Sequence, residues 1–220
     1  MEKKLFHVLL DNGHGVNTLG KFSPDKSIRE YKYCRELVSA ISQRLTADGY
    51  NVHLITPEDN DISLSTRANR ANQYCRMYGS ERCLFISVHL NAAGDDCKWH
   101  PAGGWSAWTT KGKTISDKLA DHLYDAADFC LKNYKENFYI AKKAGKYSEK
   151  QNAIRTDVSD GDRDWEANFT VIYKTNCAAV LTENLFQDSE EDVRMLHRAD
   201  IFNEIVNLHV KGIQDYIASL

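Results

Sequence analysis

The chain has 220 residues, 42% of them hydrophobic and 27% charged, with a formal net charge of −3. That length supports one domain with a sizeable core, and the charge balance excludes a general nucleic-acid binder, which needs a basic face. The longest apolar runs are a few residues, too short for a transmembrane helix, so no membrane insertion is expected.

The opening stretch, "MEKKLFHVLLDNGHG", lacks a long apolar core and a small-residue cleavage site, so it reads as a first strand over 5–11 and not as an export signal. Residues 12–27 read as loop. Residues 28–48 carry Tyr33, Leu37, Ile41 and Leu45 at helical spacing, and Gly49 ends the helix. A second strand follows at 51–56, then a helix at 64–78 opened by a Ser63 cap. "CLFISVHLN" (83–91) is apolar almost throughout, as a central parallel strand should be. A fourth strand is expected at 105–110, with Trp105 and Trp108 on one face, and a helix at 114–134. Residues 143–166 are polar and read as a surface excursion. Strands are expected at 168–173 and 178–183, and a last helix at about 199–218.

This alternation predicts a single α/β domain over 1–220. Its sheet is mostly parallel and twisted, of about six strands, with helices on both faces. The cysteines at 34, 75, 83, 97, 130 and 177 form no C-x-x-C pair; free, mostly buried thiols are expected.

Ligands of open α/β sheets gather beyond the carboxyl ends of the strands. Three chemically capable residues fall there: His14 after the first strand, His89 at the end of the third and Glu183 at the end of the last. Strand alternation places Phe85, Ser87 and His89 on one side of the third strand. Each has an ordinary reading: a turn histidine, a satisfied core histidine, a rim carboxylate. Glu30 is also ambiguous. "SIRE" (27–30) fits a capping box with Ser27 as cap, yet the same carboxylate could bind a metal. Two histidines and a carboxylate suit Zn²⁺ with a position left for water. A further carboxylate could then move the proton, which implies hydrolysis of an amide or similar acyl bond.

The pieces "LLDNGHG" (9–15), "REYKYCRELVSAISQRL" (29–45), "LSTRANRAN" (64–72), "LFISVHLNA" (84–92) and "AAVLTENLFQDSEED" (178–192) occur in an order and spacing that resemble the zinc-dependent N-acetylmuramoyl-L-alanine amidases of autolysins, spore-cortex enzymes and phage endolysins. The resemblance implies one catalytic Zn²⁺ held by His14, Glu30 and His89, with Glu183 as the catalytic acid–base. It also matches Arg67 and Asn72 to the helix before the third strand, where they would be structural or would orient a ligand. Asn91 would support the active-site loop or simply fill a turn. Asn12 stands where a proline is usual, Val16 where a second glycine often follows, and "NCAAVL" lacks the usual proline. Residues 93–167 resemble the family least and are expected to form the substrate side.

The implied reaction cleaves the amide between N-acetylmuramic acid and L-alanine in peptidoglycan. The stem peptide is anionic, so Arg155 and Lys174 are candidate substrate cations, and the two tryptophans could stack on sugar or pack in the core. The other readings are a zinc carboxypeptidase on stem peptides, a non-catalytic peptidoglycan-binding module and a cysteine hydrolase. Synthesis in the cytoplasm with later release onto the wall is expected, or else loss of a leader. A monomer is the expected state.

Overall fold

The structure, a computed structural model, describes residues 5–132 and 153–220. A six-stranded sheet forms the centre: β1 (His7–Asn12), β2 (Asn51–Leu54), β3 (Cys83–Asn91), β4 (Trp105–Thr109), β5 (Trp165–Glu166) and β6 (Ala178–Phe186). The spatial order is β2-β1-β3-β6-β4-β5. The first four of these run parallel, β4 runs antiparallel to β6, and β5 runs parallel to β4. Helices α1 (Glu30–Ala47), α2 (Leu64–Tyr78), α3 (Ile115–Cys130), α4 (Thr170–Tyr173), α5 (Glu190–Leu196) and α6 (Ala199–Ala218) complete the described elements.

Alternation along the strands builds two cores. Val8, Leu10, Leu84, Ile86, Val88 and Val180 point to the face covered by α1, α3 and α6. Leu9, Phe85, Ala179 and Leu181 point to the face covered by α2 and α4. No helix among the described residues is long and apolar enough to cross a membrane.

Most expected elements are present, with ends shifted by a few residues. The 64–78 helix and the 83–91 strand match, and the Ser63 hydroxyl accepts the Thr66 N–H at 3.1 Å. Three expectations are corrected. Residues 170–173 form a helical turn and not a strand: the Phe169 carbonyl accepts the N–H groups of both Ile172 and Tyr173, and Val171 and Ile172 are buried side by side. Trp105 and Trp108 face opposite sides, because they are three residues apart on a strand of period two. Trp105 packs on Tyr124 of α3, whereas Trp108 packs on Trp165 and Phe169. Of the expected surface excursion, 143–152 lie outside the described residues. Ala153 and Ile154 are buried beside Trp105, and Arg155 N–H donates to the Trp105 carbonyl. The cysteines are free, and all but Cys97 are buried.

Candidate active site

The site lies where the parallel strands end. β1 continues as Gly13, whose N–H donates to the Val88 carbonyl at 2.8 Å, so the next residues stay beside β3. His14 follows in the left-handed region at φ +61°. Its flanking glycines are required by close approach. A Cβ on Gly13 would sit 2.5 Å from His89 Nδ1, and one on Gly15 would sit 2.0 Å from the Asp61 nitrogen.

Glu30 is the first residue of α1, and the capping reading is corrected. The helix N-cap is Arg29, with no side-chain cap. Ser27 instead donates its N–H and hydroxyl to the Asp25 carboxylate, and the Glu30 N–H is satisfied by the Lys21 carbonyl. The Glu30 side chain is thus left for the site. It is 1% exposed. Its Oε1 accepts the Leu90 N–H at 3.1 Å and faces His89 Nδ1 at 3.1 Å and His14 Nε2 at 3.4 Å. Burial alone would raise this carboxyl, but the two imidazoles outweigh it and hold it well below the usual carboxylate range.

His14, Glu30 and His89 each offer a ligand atom within 4.8 Å of the other two. Two imidazole nitrogens and a carboxylate oxygen this close together are a donor set that fits Zn²⁺. Among the described residues no other group of three such side chains converges this way.

Glu183 is the direct neighbour of His89 in the β3–β6 register and of Ser106 in the β4–β6 register. It therefore stands on the same sheet face as His89. Its Oε2 is buried without a hydrogen-bond partner among the described residues. Burial first, and the Glu30 charge second, push its carboxyl well above the ordinary value, with Lys21 opposing. β6 continues past Glu183. A register shift near Asn91, with Leu185 at φ +72°, brings Phe186 beside Asn91.

Arg67 ties the His14 loop to α2. Its guanidinium donates to Asp11 Oδ1 at 2.8 Å, the Asn12 carbonyl at 2.5 Å, the His14 carbonyl at 3.4 Å and Asp61 Oδ1 at 2.6 Å. Asn72 takes the structural alternative: its amide bonds the Lys174 carbonyl and the Asn176 N–H, which holds the turn before β6. Lys174 is corrected as well. It lies exposed at the end of the sheet where β6 begins, opposite to His89 and Glu183. Asn91 caps its own turn, Oδ1 accepting the Ala92 N–H at 2.8 Å. Arg155 lies with its guanidinium 4.9 Å above the Phe186 ring and 5.6 Å from that of Trp165.

Two residues went unseen in the sequence. Asp61 Oδ2 lies 3.9 Å from His14 Nδ1. Gln187 donates its side-chain N–H to Glu30 Oε2 at 2.9 Å. Neither has a local signature; only the fold puts them there.

The sequence profile described as N-acetylmuramoyl-L-alanine amidase matches residues 8–215. The chain is 26% identical over 216 residues to the endolysin of Bacillus phage SPP1, covering 96% of this chain and 65% of that protein. It is 24% identical over 209 residues to the N-acetylmuramoyl-L-alanine amidase CwlM of Bacillus licheniformis, covering 94% of this chain and 66% of that protein. The chain thus spans a little under two thirds of the length of these curated relatives. The fold is similar to that of an N-acetylmuramoyl-L-alanine amidase from Clostridium difficile 630, with a TM-score of 0.74, 21% identity and 97% of each chain covered. Five ordered stretches of resemblance, a convergent His–Glu–His set and a profile match across nearly the whole chain agree: the chain belongs to the N-acetylmuramoyl-L-alanine amidase family.

Proposed function

We propose that this chain hydrolyses the amide joining N-acetylmuramic acid to L-alanine of the stem peptide in peptidoglycan. The observation that carries the reading is the convergence of His14 Nε2, Glu30 and His89 Nδ1, with Glu183 one strand away in direct register. His14, Glu30 and His89 hold Zn²⁺, which when bound supplies a Lewis acid for the scissile carbonyl and for water. Glu183 takes the proton of the attacking water and returns it to the departing amine. Its burial, with the Glu30 charge beside it, pushes the carboxyl above the ordinary carboxylate value, which favours proton pick-up from water. Asp61, anchored by Arg67 and Thr18, sets a carboxylate 3.9 Å from the His14 nitrogen Nδ1. Arg155, over the ring of Phe186 three residues beyond Glu183, is the candidate cation for an anionic stem peptide. The phage relative bears the name endolysin and the other is named for amidase activity, so the reading covers lysis and remodelling of the wall alike.

Digestion of purified peptidoglycan tests the reading. Free stem peptide with intact glycan is the expected product. Released terminal D-alanine would replace the reading by a carboxypeptidase, and no product by a binding module. Glu183→Ala is expected to lower turnover by about 10²–10⁴-fold while stoichiometric zinc binding persists. Turnover retained in that variant removes Glu183 from its role. A chelator should abolish activity and zinc restore it, an outcome a cysteine hydrolase does not give.

A further inference from the structure

Gln187 is the residue at this centre with no assigned part. It follows Phe186 at the exit of β6 and is 2% exposed. Its backbone N–H donates to the Asn91 carbonyl at 2.9 Å, fastening the ends of β3 and β6. Its side-chain Nε2 donates to Glu30 Oε2 at 2.9 Å. The acceptor fixes the orientation, because the amide oxygen in that place would face another oxygen lone pair. The Gln187 Oε1 is buried and has no hydrogen-bond partner among the described residues. An amide buried with half its capacity unmet is unfavourable. Leucine or methionine would fill the same space without that penalty, so the amide is explained by what its nitrogen does.

The two oxygens of Glu30 have different surroundings. Oε1 faces both imidazoles and accepts the Leu90 N–H. Oε2 receives, among the described residues, the single hydrogen bond from Gln187. We propose that Gln187 is a positioning residue for the metal centre: it keeps Glu30 Oε2 engaged, so that Oε1 alone joins the two imidazoles as a ligand. This rests on the reading of His14, Glu30 and His89 as zinc ligands. Without the amide, the carboxylate turns about its terminal bond, loses a charge-assisted hydrogen bond and offers both oxygens to the position that water needs.

The test is zinc affinity of the metal-free protein, read by competition with a chromophoric chelator, for the parent, Gln187→Leu and Gln187→Met. The expected result is zinc binding about 10–100-fold weaker in both variants, with melting temperatures of the metal-free forms close to the parent's. A purely structural residue gives the reverse pattern, a lower metal-free melting temperature with unchanged affinity. Affinities within about twofold of the parent overturn the proposal, and so does failure of both variants to fold. If the parent itself takes up no zinc, the ligand reading fails and this proposal with it; if the parent binds one equivalent and the variants match it, only this proposal fails.

Discussion

Arg67 joins the chemistry to the fold. It is 2% exposed, and its ion pair with Asp11 is buried on both sides. Asp11 is further held by the hydroxyls of Ser87 and Thr56. Removing one partner of a buried pair leaves the other charge uncompensated, which costs about 3–5 kcal/mol. Arg67→Met is therefore expected to lower the stability read by urea unfolding by that amount. It should also weaken zinc binding, because the His14 carbonyl and Asp61 lose their common donor. Adding Asp11→Asn should recover part of the stability; an unchanged urea midpoint in the single variant refutes the buried-pair account. At this scale the sequence was partly legible. His14 and His89 each had an ordinary structural reading and stood out only together, because both fall at the carboxyl ends of strands in one sheet. Glu30 was ambiguous because a helix cap and a metal ligand require the same residue type in the same place. Gln187 was invisible, since its partner lies 157 positions away.

Among the elements, the short helix α5 was absent from the periodicity reading, yet it buries a carboxyl that fastens three segments. Asp192 Oδ2 accepts the N–H groups of Gly104 and Phe186, each at 2.8 Å. Its Oδ1 is buried without a hydrogen-bond partner among the described residues. Burial raises this carboxyl against those two donors, to about 7 from an ordinary 3.8. The folded protein therefore keeps a proton that the unfolded chain releases between those values. The stabilisation is complete below about pH 4 and is lost as pH rises through 7, on the order of 4 kcal/mol in all. Asp192→Asn can place its amide oxygen where Oδ2 sits and has no proton to lose. Its melting temperature should fall less than the parent's between pH 4.5 and pH 8; parallel curves for the two proteins would show that Asp192 does not titrate as argued. The misread segment at 170–173 has the same origin as the missed α5. Each is about one or two turns long, too short for a period to declare itself.

At the scale of the whole molecule, the proposed zinc ligands come from the loop after β1, the start of α1 and the end of β3. A ligand that binds only the assembled site stabilises the fold by mass action, about 2.7 kcal/mol at a hundredfold excess over Kd. For a chain of this size that corresponds to a rise of roughly 5–10 °C in melting temperature. Calorimetry of the chelator-treated protein with and without zinc should show the rise in the parent and its loss in His89→Ala; an unmoved parent would take the metal out of the proposed function. The sequence by itself determined the α/β class, the parallel centre of the sheet and the strand ends that carry His14 and His89. Hydrophobic periodicity and strand-end position are local properties, and the chain states them within a few residues. Local spacing left Glu30 open and the resemblance assigned it to the metal; only the tertiary structure decided that its side chain is not used for capping, that Lys174 and Asn72 lie away from the site, and that Asp61 and Gln187 lie beside it. Those placements depend on which segments meet across the sheet, and such meetings leave no mark on neighbouring residues.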